Sequence, residues 1–309
     1  MAVWRLQTST SKGRIAEYCI KNNVIAMGWS LKEVSENERK SIKTFEQYTE
    51  FASRLYKKFD NVKRLYKKVA IGDFIWLRFD GKYFLSKVGE NSQWSFNSSE
   101  DAFSLDACNQ RNDINWVQIK EFFDEASVAG IVKTSFIKGN TLQSINNPYI
   151  SDYSEMIYAK ALNKDFIKPE SLTLEEKCFY TLLNYEDVED LLCLWLFKNK
   201  GYIVIPSTNK ISTKTYECVL IDPKAESPKH IYIQAKKGKI DLNASDYSDL
   251  NGETYLVTTE GEILNLENEK NVFSVSPTDL FEFAINPENK SLIPQSIRIW
   301  IEFLSENKT

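Results

Sequence analysis

The sequence predicts an α+β first half and an α/β second half: a small β-barrel or curled sheet with packed helices, then a mixed sheet flanked by helices. Three observations carry this. Short aromatic and β-branched runs separated by Gly, Asp and Asn crowd residues 72–119, as neighbouring antiparallel strands do. From residue 182 a long helical run stops at Gly201 and gives way to three strands and further alternating elements, the order of a mixed sheet with helices against it. A chain of 309 residues also exceeds the usual size of one core, so two domains are expected. Their bounds are 1–147 and 173–309, with 148–172 as a linker between Pro148 and Pro169 that holds at most a helical turn or two.

In the first half, "AVWRLQ" and "NVIAMGWS" read as strands with a helix over "KGRIAEYCIKN" between them. From Tyr48 to Val69 apolar residues fall at Phe51, Leu55, Phe59, Val62, Leu65 and Val69, the spacing of one amphipathic helix. Its other side carries Lys57, Lys58, Lys63, Arg64, Lys67 and Lys68, a solvated face or a surface for phosphates. "GDFIWLRF", "KYFLSKVGE" and "QWSFN" read as adjacent antiparallel strands, "DINWVQI" as another, and residues 128–145 as a short helical close. Trp4, Trp29, Trp76, Trp94 and Trp116 all lie here. Core packing accounts for such residues in general, yet Trp29 follows a glycine at the end of an apolar run and Trp94 follows a polar turn. Aromatics at strand ends suit stacking on a planar base.

Composition narrows the function. One histidine, His230, leaves little for Ser-His-Asp chemistry or a histidine-rich metal site, and no glycine-rich phosphate loop is present. The five cysteines are scattered and form no CxxC pair, which fits reduced thiols in a cytoplasm. No apolar run reaches the roughly 18 residues of a membrane span, and the N-terminus lacks the pattern of a signal peptide. A net charge of −4 gives no general attraction to nucleic acid, so binding there would rest on local patches.

The second half holds the candidate chemistry. On the helix ending at Gly201, Glu189 shares a side with Leu192, Cys193 and Leu196, which is unusual for a carboxylate; Glu186, one turn earlier, is the alternative. "YECVLI" and "HIYIQAK" follow as strands. Residues two apart on a strand face the same way, so Gln234 and Lys236 lie together, and Glu217 reaches them if its strand pairs alongside. Asp222 is a second candidate acid. A carboxylate, an amide oxygen and an ammonium at one end of a sheet suit phosphodiester hydrolysis with a hard cation such as Mg²⁺, and "KKGK" (residues 236–239) adds positive charge nearby.

Two resemblances follow from these strings. "VWRL", "IAMGWS", the basic helix, "IGDFIWLRF", "KYFLSKVGE", "INWVQI" and "TLQSI" resemble, in that order, the PUA-like domains of the EVE and YTH group, in the version fused to Mrr-like restriction nucleases. That resemblance implies a modified-base pocket, with Trp29, Trp76 and Trp94 carried over and Gly28 and Ser30 flanking the first. Residues 173–309 resemble the Mrr-like branch of the PD-(D/E)xK nucleases, in which "QxK" replaces "ExK". Glu217 then stands for the first acid, where aspartate is usual; Gln234 and Lys236 form the pair, Glu189 matches the helical glutamate, and Glu217 and Gln234 hold Mg²⁺ or Mn²⁺. Together they imply a modification-dependent restriction endonuclease acting on double-stranded DNA, as a homodimer, in anti-phage defence. A non-catalytic nucleic-acid-binding protein and an RNA-directed nuclease are the alternatives.

Overall fold

The computed structural model describes residues 1–8, 14–119, 128–137, 139–165, 167–210, 216–227 and 229–305. The chain divides into two compact units, one of residues 1–128 and 132–172, the other of residue 173 onward with 129–131. Among the described residues, no helix is long and apolar enough to cross a membrane.

Among the described residues the first unit has eight strands: β1 (Val3–Leu6), β2 (Ile25–Met27), β3 (Phe74–Phe79), β4 (Lys82–Lys87), β5 (Trp94–Phe96), β6 (Asn109–Arg111), β7 (Val117–Gln118) and β8 (Leu142–Ser144). They form two sheets, ordered β7-β4-β3-β1-β8 and β2-β6-β5. The expected helix between β1 and β2 runs Arg14–Asn22, burying Ala16 and Cys19, and ends where Asn23 turns left-handed at φ 51°. Leu6, Ile25, Met27, Leu65, Ile75 and Leu77 belong to one core.

Four expectations are corrected here. The strands do not close into a barrel: they fall into two sheets, and the end strands of each, β7 and β8 in one and β2 and β5 in the other, do not pair with each other. β1 and β3 run parallel, and the crossover that such a pair needs takes residues 7–73. β5 also leaves the β3–β4 hairpin to pair with β6, a strand whose "NQR" sequence gives no apolar signal. The helix expected from Tyr48 to Val69 is two, Phe45–Leu55 and Asp60–Lys67, parted at Tyr56 by extended backbone (φ −118°, ψ 125°). The break turns Phe59 into the core, edge-on to Tyr48, and Lys58 O accepts a hydrogen bond from Trp29 Nε1 at 3.1 Å. Residues 148–172 are no simple linker: they carry the helix Ile150–Ala161, with Ile150, Tyr153, Ser154, Met156 and Ile157 buried. Tyr and Ser occupy part of that face, which weakens its apolar periodicity.

The second unit is a mixed five-stranded sheet, ordered β15-β13-β11-β10-β9. Its strands are β9 (Ile203–Val204), β10 (Cys218–Ile221), β11 (His230–Lys236), β13 (Gly252–Thr258) and β15 (Val272–Ser274), while β12 (Leu242–Asn243) and β14 (Ile263–Leu264) form a parallel pair of their own. β11, β13 and β15 run parallel, and β10 and β9 are antiparallel to their neighbours. Helices Glu176–Leu182, Tyr185–Lys200, Pro277–Ile285 and Gln295–Ser305 complete the unit. The longest starts at Asn184 with a capping box to Asp187 and stops at Gly201, left-handed at φ 80°, a stop glycine supplies without a steric penalty. The polar loop expected over 207–215 begins as a 3₁₀ turn, Pro206–Lys210, and 211–215 lie outside the described residues.

Candidate functional site

Strand register assembles the polar corner of the second unit. Cys218 lies opposite Ile233, and Glu217 N donates to Ile233 O at 2.9 Å, so the next pair outward is Glu217 and Gln234. Directly opposed residues of an antiparallel pair share a face, and Lys236, two further along β11, shares it too. Gln234 Nε2 and Lys236 Nζ both donate to Glu217 Oε1, the ammonium at 2.6 Å. Two oxygens are left over. Glu217 Oε2 accepts no hydrogen bond among the described residues. Gln234 is only 1% exposed, and its buried Oε1 has no hydrogen-bond partner among the described residues. An orphaned buried amide oxygen is unfavourable by roughly 1–3 kcal/mol and calls for an explanation.

The helix Tyr185–Lys200 packs on the other face, where Cys193 Sγ is 3.6 Å from Cys218 Sγ. Glu189, one turn before Cys193, makes no hydrogen bond or ion pair with the three residues. It senses them by charge: burial first, and then the Glu217 carboxylate, push its carboxyl up to about 7, while Lys236 pulls the other way. Glu186 is exposed. Asp222 is excluded from the corner, because it follows the Ile221–His230 pair at the far end of β10, where its carboxylate caps Lys224 N at 2.9 Å. The "KKGK" run is also not one charged surface. Lys236 is in the ion pair, and Lys237 Nζ donates to the carbonyls of Thr181 and Leu183 at the C-terminal end of the helix Glu176–Leu182.

A cation can be tested against these donors. Among the described residues, no three His, Cys, Asp or Glu side chains group to hold a metal. Glu217 Oε2 and Gln234 Oε1 remain as two hard oxygens on one face, which fits an ion such as Mg²⁺ that keeps most of its waters.

The first unit has a pocket of about 400 Å³ lined by Met27, Gly28, Trp29, Lys32, Tyr56 and Asp106 among others. Trp29 (φ 61°), Leu31 (φ 54°) and Asp106 (φ 56°) are left-handed without being glycine, a strain that persists only where the surroundings over-determine it. They do so here. The Tyr48 hydroxyl donates to Trp29 O at 3.1 Å, Asn109 Nδ2 to Gly28 O at 2.7 Å, Leu31 N to the Tyr56 hydroxyl at 2.9 Å and Ser30 N to Asp106 Oδ1 at 3.1 Å. A Cβ at Gly28 would sit 2.8 Å from Asp106 Oδ2 and make that carboxylate shift.

Of the residues expected in a base pocket, Trp29 and Gly28 line it and Ser30 is fully buried behind it, its Oγ accepting from Cys108 N. The other two tryptophans are corrected. Trp76 is 0% exposed, bonded to Ser154 Oγ at 3.0 Å and stacked on Tyr153; it sits mid-strand on β3, where both faces of the sheet are covered. Trp94 packs against Phe45, Tyr48 and Tyr66. Tyr56, Asp106 and Lys32 carried no signal in the sequence, because loops and a helix break bring them in.

A family model described as a domain of unknown function (DUF8426) matches residues 4–138, the stretch that supplies Trp29, Tyr56 and Asp106. No curated protein and no solved structure matches the chain.

Proposed function

We propose that the protein is a modification-dependent restriction endonuclease, with a PUA-like first unit that reads a modified base and an Mrr-like second unit that hydrolyses DNA. The convergence of Glu217, Gln234 and Lys236 on one sheet face, with an orphaned amide oxygen among them, carries the reading. Glu217 Oε2 and Gln234 Oε1 would hold Mg²⁺ or Mn²⁺, which when bound polarises a phosphate and acidifies a water. The Lys236 ammonium stabilises negative charge building on the phosphate. Glu189, whose carboxyl stands near neutrality, can hold or release a proton at working pH. In the first unit, Trp29 stacks on the base and Asp106 and Lys32 meet its polar edge. Cleaving both strands of a duplex takes two such sites, hence a homodimer, and the free thiols suit a reducing cytoplasm.

The test is cleavage of modified and plain duplexes, and of RNA, with Mg²⁺ or Mn²⁺. The wild type should cut modified DNA, and Glu217→Ala and Lys236→Ala should each lose on the order of 10²–10³-fold in rate. Equal cutting by all three proteins would remove the site. Among the described residues Glu217 is the one carboxylate bonded to Gln234 and Lys236, which favours one second reading, a nucleic-acid-binding protein with an inert nuclease fold. It predicts tight binding to modified DNA with no divalent-dependent cleavage.

A further inference from the structure

The second unit has a buried phenol that the proposed chemistry leaves unused. Tyr247 ends the 3₁₀ turn Ala244–Tyr247 and is 6% exposed. Its ring packs in a small cluster with Leu242, Ala244, Leu256 and Val272. Leu256 is the register partner of Gln234, and Val272 that of Thr254, two residues earlier on β13. Both therefore belong to the face that presents Glu217, Gln234 and Lys236, and the turn bearing Tyr247 covers that face. The hydroxyl makes no hydrogen bond among the described residues: the ring is buried while the oxygen stays open to solvent. Burial first, then the charges of Asp246 and Glu217, push the phenol up to about 12, so it remains an O–H donor wherever the enzyme works.

We propose that the Tyr247 hydroxyl donates a hydrogen bond, made as charge builds in the transition state, to a non-bridging oxygen of the phosphodiester held at Glu217, Gln234 and Lys236. This rests on the nuclease reading of that corner. It adds a neutral donor to a site that otherwise meets the phosphate with one ammonium and, when bound, the cation.

Tyr247→Phe keeps the ring and removes only the donor. In single-turnover cleavage of a modified duplex with Mg²⁺, the variant should be about 10- to 100-fold slower, the worth of one hydrogen bond to a charged group. Its affinity for the same duplex in Ca²⁺ should stay within about twofold, and its melting temperature should hold. Sulfur placed at each non-bridging oxygen in turn should slow the wild type, and at one of the two the sulfur and Tyr247→Phe effects should fail to add. Wild-type rates in Tyr247→Phe, or full additivity at both oxygens, overturn the assignment and leave the nuclease reading standing. A wild type that cuts nothing overturns both.

Discussion

The polar corner of the second unit and the pocket of the first are built in opposite ways. The corner is held by a β-ladder: once Cys218 lies opposite Ile233, Glu217, Gln234 and Lys236 have no other face to occupy. The pocket is held by loops, with three non-glycine residues in left-handed backbone and a web of side-chain hydrogen bonds to keep them there. A ladder fixes side-chain direction through a short period, while a loop site needs every constraint supplied from elsewhere in the chain. The energy is stored differently as well. In the pocket it lies in backbone strain, in the corner in an unpaired amide oxygen.

Substitutions at the two places can break or sharpen this contrast. The largest effect belongs to a tryptophan that lies in neither. Trp76→Ala should cost about 3–5 kcal/mol of unfolding free energy, whereas Trp29→Ala should leave cooperative unfolding in place and weaken binding to modified DNA. A small loss for Trp76→Ala in urea unfolding would mean that its burial against Tyr153 and Ser154 is not what holds the sheet. For Trp29→Ala the loss of affinity should be about 1–3 kcal/mol, read by titrating modified against plain duplex; unchanged discrimination would take the base away from this pocket.

At the corner, Gln234→Met removes the orphaned oxygen at similar volume. It also removes the Nε2 donation to Glu217, so the relief of about 1–3 kcal/mol is offset by a loss of about 1.5–3 kcal/mol. Stability should therefore change by less than about 2 kcal/mol, while Mn²⁺ binding measured by calorimetry weakens. A loss well beyond that would mean that Oε1 is satisfied in the folded protein after all. The smallest effect is a pH slope. The Glu189 carboxyl is raised from 4.5 to about 7 in the folded protein, so the native state keeps a proton that the unfolded chain gives up. That contribution is complete below about pH 4.5 and is lost as pH rises through about 7. Glu189→Gln should therefore gain stability relative to wild type between pH 5 and pH 8. A constant difference across that range would place the carboxyl in an ordinary environment.

Legibility followed the range of the interactions involved. Glu217, Gln234 and Lys236 were readable as a group because the pattern in "YECVLI" and "HIYIQAK" has a period of two, and pairing the two strands does the rest. Glu189 was readable as an anomaly on an apolar helix side, but not as a group that acts through charge from the other face. Trp29 and Trp94 looked alike in the sequence, each at the end of a run. Only the helix break at Tyr56, which frees Lys58 O to hold the Trp29 indole, separates the one beside a pocket from the one inside an aromatic cluster.

By itself the sequence determined the strands β1 to β5, β10 and β11, the glycine stop at Gly201 and the shared face of Gln234 and Lys236, all consequences of local periodicity and backbone preference. The tertiary structure decided that the first unit's strands stay open, that residues 150–161 pack as a helix, that Asp222 falls at the wrong end of its strand, and which oxygen is left unpaired. Those outcomes depend on which distant segments become neighbours, and a residue's own period does not encode that.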